Sequence, residues 1–255
     1  MKSGLVSRYV PAATLAVAML VAWEALVRLL HVPNIILPPP SEVAIALVER
    51  KIDWPYHIWV TGTEVVLGFA LAASCGVGLA IIIVMFPWLA RVLMPWILLA
   101  QIVPKIAFAP IMFLAFGYNQ LPTVLITFLV AFFPMVVDTA AGLTSLDPRM
   151  RDLLYSYQGS RWDVLWKAQF PAALPFIFTG LKVSSTLAVI GANVAEFVSA
   201  RAGLGFLIIN AQVTFNAPLA FAAAFYLILL GVVFYALIAA AEQWVTPWAV
   251  PRRAG

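Results

Sequence analysis

The residues that could carry out chemistry are few, and their spacing matches no enzyme. The chain has one cysteine, Cys75, and two histidines, His31 and His57, so a multi-cysteine metal site is excluded. We interpret the histidines as interface residues, with metal binding as the alternative. Ser41 has no neighbouring base, which favours a helix cap over a nucleophile. The sequence lacks a glycine-rich loop ending in Lys-Ser or Lys-Thr that could hold phosphates. We therefore expect no cofactor, no metal and no catalytic residue in this chain.

Charged residues inside long apolar stretches form a second group of interest, because a charge in hydrocarbon is costly and usually functional. At about 1.5 Å per helical residue, Lys105 and Lys182 lie about 20 Å and 13 Å from the cytoplasmic starts of their predicted helices. Both depths are central in a hydrocarbon core about 30 Å thick. Glu24 and Arg28 stand four residues apart, which predicts a structural ion pair.

The composition explains why such stretches exist. The 255 residues are 64% hydrophobic and only 10% charged, against about 25% charged in a soluble domain, and the mean hydropathy is +1.01. These values exclude a soluble globule. The net charge of +4 leaves too little polar surface for nucleic acid, so we read the basic excess as a signal of membrane orientation.

Lipid requires about 20 apolar residues for each crossing helix, and the turn signals at residues 117–122 and 216–218 divide the longest apolar runs. The fold class predicted is an all-α polytopic membrane protein of six transmembrane helices. The predicted spans are residues 10–30, 61–86, 92–116, 121–142, 173–198 and 219–246. Pro104 and Pro110 are expected to interrupt the third span around Lys105.

The distribution of basic residues predicts the orientation of these spans. With both termini in the cytoplasm, nine of the 15 lysines and arginines lie in inner segments and only three, Arg50, Lys51 and Arg201, in outer ones. This asymmetry favours a cytoplasmic N-terminus and C-terminus. A cleaved signal peptide is the alternative for the first apolar run, since Ala16-Val17-Ala18 resembles a cleavage site.

Small residues recur every four positions in two of the spans, which predicts close helix approach. The alternative is that membrane helices are simply rich in Gly and Ala. The two rows are Gly68, Ala72, Gly76 and Ala80, and Gly180, Ser184, Ala188 and Ala192.

The long loop at residues 144–172 carries a pattern of two short amphipathic helices. Asp147 and Pro148 predict the start of the first helix, and Ser160 with Asp163 predicts a capping box for the second. The predicted apolar faces are formed by Met150, Leu153, Leu154 and Tyr157, and by Trp162, Leu165 and Trp166. Such faces could lie on the membrane interface or dock into a cytoplasmic partner.

Several stretches, in this order and spacing, resemble the permease subunit of ATP-binding cassette (ABC) importers of the type I fold. The resemblance is to the branch that includes importers of nitrate, taurine, aliphatic sulfonates, bicarbonate and pyrimidine precursors. The matching stretches are residues 36–43, 104–110, 116–117, 132–134, 138–139, 141–143, 159–162, 170–175, 180–182, 195–197 and 203–206.

The resemblance implies that the loop at residues 144–172 couples to a separate ATPase subunit. The family signature places a glycine where this chain has Gln158, and Gly159 stands one position later, where it can supply the chain reversal if the turn needs a positive φ. The residues implied in coupling are Asp152, Leu153, Leu154, Gly159, Arg161, Trp162, Leu165, Trp166 and Pro171.

The resemblance further implies partners and a transport role in the bacterial inner membrane. The partners are a second permease copy, two ATPase subunits that bind ATP and Mg, and a periplasmic or lipid-anchored solute-binding protein. Lys105, Lys182, Asn193 and Glu196 are the candidates for the solute pathway, and the lysines would suit a small anion. A pyrimidine or thiamine precursor, riboflavin or an aromatic acid remains the alternative solute. A passive channel or a membrane enzyme is the alternative class.

Overall fold

The computed structural model describes residues 3–248, and this part of the chain contains helices and no strand. The long helices are α1 (Ser3–Leu29), α3 (Trp54–Met85), α4 (Pro87–Ile102), α6 (Gln120–Thr144), α9 (Phe170–Ser199) and α11 (Ala217–Val245). The short helices are α2 (Pro40–Leu47), α5 (Ala109–Phe116), α7 (Pro148–Ser156), α8 (Arg161–Val164) and α10 (Leu204–Val213). A 3-10 turn at Lys105–Phe108 precedes α5, and a π-helical turn at Leu165–Gln169 joins α8 to α9.

Four helices are long and apolar enough to cross a membrane, namely α3, α6, α9 with its preceding turns, and α11. The α4–α5 pair makes a fifth crossing if it is counted as one span. The chain is therefore a multi-pass membrane protein. The predicted first span, residues 10–30, falls almost entirely in α1, and its crossing of the membrane remains a prediction.

The predicted third span, residues 92–116, contains two helices, and the interruption expected at Pro104 and Pro110 is confirmed. The α4 helix ends at Ile102, and the chain bends by 81° before it continues as α5. Pro104 and Pro110 flank the bend, and a proline lacks the N–H and the space that a continuous helix requires. The depth of Lys105 calculated for a straight helix therefore does not apply.

Close packing of α3, α6 and α9 forms the centre of the bundle, and both rows of small residues take part in it. A Cβ on Gly68 would overlap the Thr127 side chain, and one on Gly76 would lie 2.8 Å from Met135 Cγ. On α9, the Ser184 hydroxyl donates to the Ala131 carbonyl at 2.8 Å. The prediction of close approach is confirmed, because larger side chains at these glycines would push the helices apart.

The bundle has two distinct ends. The α10 end holds the starts of α3, α6 and α11, the end of α9 and the short helices α2 and α10. An apolar cluster in which Trp54, Leu204 and Ala222 are buried stabilises the α10 end. The loop end holds α7 and α8. Under the predicted orientation, the α10 end faces outward and the loop end faces the cytoplasm.

The junction between α1 and α2 depends on one carboxylate. Glu24 pairs with Arg28 at 2.6 Å, as the four-residue spacing predicts. Its second oxygen accepts the Ser41 backbone N–H at 3.0 Å, and the Ser41 hydroxyl also donates to Glu24 at 2.8 Å. Ser41 itself is not the cap, since α2 begins at Pro40. Glu24 supplies that acceptor from α1 instead.

Candidate functional site

The start of each loop helix matches its sequence pattern. Asp147 accepts the Arg149 backbone N–H at 2.8 Å and caps α7. Ser160 and Asp163 form the predicted capping box, with the Asp163 N–H donating to Ser160 Oγ at 3.2 Å and the Ser160 N–H donating to Asp163 Oδ2 at 3.0 Å. Lys167 also pairs with Asp163, and with Ser160 it holds the pKa of that carboxyl well below its usual range. These contacts keep α8 helical although it is only one turn long.

The turn between α7 and α8 corrects the expectation for Gly159. The residue with positive φ is Gln158, at 60°, which stands where the family signature has glycine. The Gln158 N–H donates to the Tyr155 carbonyl at 3.0 Å and the Gly159 N–H to the Leu154 carbonyl at 3.0 Å, which together form a Schellman motif. A Cβ on Gly159 would lie 2.8 Å from the Leu154 carbonyl oxygen. Gly159 is therefore required by close approach rather than by its φ.

The apolar faces of the loop divide into a buried part and an exposed part. Leu165 is fully buried, whereas Leu153, Trp162 and Trp166 are each at least half exposed. Leu165 thus supports the loop from beneath, contrary to its predicted place on one face with the tryptophans. Leu165 is the first residue of the π-helical turn and belongs to an apolar cluster with Ile97, Leu143 and Ala173.

The remaining coupling candidates lie around this exposed surface. Asp152 and Arg161 are exposed, and both line a polar cavity of about 340 Å³ against Met85 and Pro87 at the turn between α3 and α4. Leu154 and Pro171 are half-buried. The exposed tryptophans and this polar cavity give the loop end the character of a docking surface.

The two pathway lysines have different environments. Lys182 on α9 pairs with Glu242 on α11, with Nζ 2.9 Å from Oε2 and 3.1 Å from Oε1. Lys105 lies in the 3-10 turn, donates to the Gln101 carbonyl at 3.0 Å and lies 5.0 Å from the centroid of the Phe133 ring. Lys182 is therefore paired with a carboxylate, whereas the partners of Lys105 within residues 3–248 are a carbonyl and an aromatic face.

Glu196 is the centre of a hydrogen-bond network at the α10 end. It is 1% exposed and accepts from Thr61 Oγ1 at 2.7 Å, from the Gly205 N–H at 2.6 Å and from the Phe206 N–H at 3.3 Å. The Thr61 oxygen in turn accepts the Leu204 N–H at 2.8 Å. Glu196 therefore caps the N-terminus of α10.

Two further residues border this network. Asn193, the other weak pathway candidate, has a buried Oδ1 without a hydrogen-bond partner among residues 3–248. His57 lies in the first turn of α3, and its Nδ1 accepts the Gly203 N–H at 3.1 Å. Within residues 3–248 no group of three metal-ligating side chains occurs.

A cavity of about 530 Å³ opens beside this network. Glu64, Tyr118 and Arg201 contribute to its walls, and the Arg201 guanidinium lies 5.5 Å from the Tyr118 ring centroid. Sequence reasoning did not identify Thr61, Glu64 or Glu242 as partners of the candidate residues. Their separation along the chain, 135 residues for Thr61 and Glu196, hides each contact, and only the presence of charge inside an apolar span could have indicated them.

A protein-family model matches the part of the chain that contains both the helical core and the loop at residues 144–172. The model for "Binding-protein-dependent transport system inner membrane component" matches residues 65–247, and the chain belongs to this family. It is a permease component of a binding-protein-dependent ABC importer. The expected family is thus confirmed, and with it the class of protein.

Named relatives cover nearly the whole chain. The formylaminopyrimidine transport permease protein ThiX of Halalkalibacterium halodurans is 34% identical over 90% of this chain and 92% of its own length. The riboflavin transport system permease protein RibX of Chloroflexus aurantiacus is 33% identical over 90% of this chain and 87% of its own length. The taurine permease TauC of Escherichia coli is 28% identical over 92% of this chain and 88% of its own length.

A solved structure supports the fold. A chain of the inward-facing MetNI methionine ABC transporter superposes with a TM-score of 0.69, covering 78% of this chain and 100% of that chain at 14% identity. At this identity the likeness concerns the fold alone. The family description and the names of these relatives are those of permease components of binding-protein-dependent transport systems.

Proposed function

We propose that two copies of this chain form the solute pathway of an importer and pass the motion of two separate ATPase subunits to it. The ATPases supply the ATP and Mg sites, and a solute-binding protein delivers the solute to the α10 end. The observation that supports this proposal is the exposed aromatic surface that Trp162 and Trp166 form on the loop at residues 144–172. The capped helices α7 and α8 and the buried Leu165 hold this surface in place. Alternating access between the two ends would follow from ATP binding.

The docking role is supported by the size of the loop helices. The α7 helix has nine residues and α8 has four, lengths that are unstable alone in water. Aromatic side chains such as Trp162 and Trp166 contribute most to the binding free energy when a partner groove buries them. Asp152, Arg161 and Arg151 add charges at the rim of this surface, where they would steer a partner rather than hold it.

For the solute we propose an uncharged nitrogen heterocycle as the first class, such as a pyrimidine precursor or a flavin. Two observations favour it. The pairing of Lys182 with Glu242 removes one of the two positive charges proposed for an anion pathway. The relatives with 34% and 33% identity carry the names of formylaminopyrimidine and riboflavin permeases.

A small anion is the second solute class. The environment of Lys105 favours this class, because its contacts within residues 3–248 are a carbonyl and an aromatic ring rather than a carboxylate. Two copies in a dimer would bring two such charges toward one axis. The aromatic ring beside Lys105 would suit either class, since it can stack on a heterocycle or support the cation.

Reconstituted transport tests these proposals. The chain is purified with its ATPase and placed in liposomes with the cognate binding protein, and uptake of labelled formylaminopyrimidine, riboflavin, taurine, nitrate and bicarbonate is measured with and without ATP. ATP-dependent uptake of a heterocycle supports the first class, and that of an anion the second. Uptake that proceeds equally without ATP would favour a passive channel and contradict the importer mechanism.

A further inference from the structure

The N-terminus of α10 is held entirely by side chains from other helices. Its N-cap residue, Gly203, has no side chain to contribute, and a helix start leaves its first N–H groups without intrahelical acceptors. Here the N–H groups of residues 203 to 206 all have partners, which are His57, Thr61 and Glu196. The position of α10 against α3 and α9 therefore depends on these polar contacts as well as on apolar packing.

The space around the Glu196 carboxylate is shaped to hold it. A Cβ on Gly203 would overlap the Glu196 carboxylate, and one on Gly205 would lie 2.7 Å from the Asn193 carbonyl oxygen. Glycine at both positions lets the α10 backbone approach the carboxylate closely. Three donors and the positive end of the α10 helix dipole are directed at the Glu196 carboxylate.

Glu64 is a buried carboxylate beside this network. It is 2% exposed, lies one helical turn after Thr61, whose hydroxyl donates to Glu196 at 2.7 Å, and its Oε2 has no donor among residues 3–248. Within the same residues the ion pairs include neither carboxylate. Two carboxylates buried side by side do not both remain ionised, which points to a proton held by the pair.

We propose that Glu64 is a neutral carboxylic acid that donates a hydrogen bond to the Glu196 carboxylate, and that this pair is the positioning element that keeps α10 docked. The proton belongs to Glu64 because Glu196 already accepts from three donors, whereas Glu64 Oε2 has no donor among residues 3–248 to stabilise a charge. The inference does not depend on the identity of the solute.

The position of the pair connects it to the outer cavity. Glu64 lies in one wall of the 530 Å³ cavity, and residues Ala200, Arg201 and Ala202, which join α9 to α10, contribute another wall. Release of α10 would move that second wall. The Glu64–Glu196 pair therefore sets the shape of the cavity at the end where the solute is proposed to arrive.

Cysteine accessibility measures whether α10 is docked. Leu207 on α10 is 3% exposed, so a Leu207→Cys reporter in a Cys75→Ala background is expected to react slowly with N-ethylmaleimide in nanodiscs. Glu64→Leu removes one donor to the buried Glu196 carboxylate and is expected to increase the labelling rate about tenfold, since loss of a hydrogen bond to a charged group costs about 1.4 kcal/mol or more. Glu64→Gln keeps a neutral donor and is expected to leave the rate within about twofold of the parent.

A Leu143→Cys reporter is the matched control, since Leu143 is 0% exposed and lies at the loop end of α6, in a different apolar cluster from Leu207. Its rate should stay constant in all variants, which separates release of α10 from global unfolding. The proposal is overturned if Glu64→Leu labels Leu207→Cys as slowly as the parent. It is also overturned if Glu64→Gln labels as fast as Glu64→Leu, because the charge of Glu64 would then be what matters.

Infrared spectroscopy gives a second readout that needs no destabilised variant. The parent should show the carbonyl stretch of a protonated carboxylic acid that is shielded from solvent, and Glu64→Gln should lose it. Glu49→Gln, at a residue outside the network, should keep it. Persistence of the band in Glu64→Gln would place the proton elsewhere and overturn the proposal.

Discussion

Lys182 and Glu242 form an ion pair between α9 and α11, with Nζ 2.9 Å from Oε2 and both side chains largely withdrawn from solvent. The two residues are 60 positions apart, so the pair fixes the last helix against the centre of the bundle. Removing one partner leaves a charge without compensation, which is more costly than removing both.

The first prediction concerns this pair. Lys182→Met and Glu242→Met should each lower the unfolding free energy by about 1 to 3 kcal/mol, and the double variant should lose less than the sum of the two. Thermal denaturation of the four proteins in detergent measures the coupling. Strictly additive losses would show that the contact contributes nothing. If Lys182 serves the pathway as well, the double variant should lose uptake although its stability returns.

The second prediction concerns Lys105 as a pathway residue. Lys105→Ala should reduce uptake and binding-protein-stimulated ATP hydrolysis while the complex with the ATPase still assembles, because a desolvated cation is removed without loss of an ion pair. Lys51→Ala, at an exposed residue before α3, is the matched control and should be neutral. Unchanged uptake in an assembled Lys105→Ala complex would remove Lys105 from the pathway.

The third prediction concerns Trp162, whose side chain is 58% exposed. Trp162→Ala should weaken ATPase association about 30-fold, since an aromatic anchor contributes about 2 kcal/mol, or it should uncouple hydrolysis from uptake. Copurification and titration in nanodiscs measure the association. Trp59→Ala is the control, because Trp59 is 71% exposed at the opposite end of the bundle. Full association in the Trp162 variant would instead assign the loop to the lipid surface.

The fourth prediction separates the roles of the two turn residues. Gln158→Gly should stabilise the turn by about 1 kcal/mol, because glycine adopts positive φ without the steric cost that glutamine bears. Gly159→Val should destabilise the turn, since its Cβ would press on the Leu154 carbonyl. Hydrogen exchange of residues 154–163 should slow in the first variant and accelerate in the second. The reverse order would mean that Gly159 provides the φ freedom after all.

The fifth prediction concerns orientation. In a Cys75→Ala background, Arg50→Cys should react with an impermeant maleimide in intact cells, whereas Arg161→Cys should react only after permeabilisation, as the distribution of basic residues requires. Both arginines are exposed, so access depends on the side of the membrane alone. Labelling of Arg161→Cys from outside would show the opposite orientation and contradict the docking proposal.

The sequence determined the helical class, the close-packing rows and the local caps. These features depend on composition and on contacts within a few residues, such as Asp147 with Arg149 or Ser160 with Asp163, and short-range patterns record them directly. The pair of Glu24 and Arg28 belongs to the same kind, because four residues make one helical turn.

The tertiary structure alone decided which partner each buried polar group has. Glu196 is a cap because the fold brings Thr61, 135 residues away, and the start of α10, 9 residues away, against it. Lys182 is paired with Glu242 because α11 packs against α9. Leu165 is buried because the fold brings Ile97, Leu143 and Ala173 against it, and the 81° bend around Lys105 exceeds what two prolines specify. Distances in space between residues far apart in sequence set these outcomes, and no local pattern carries that information.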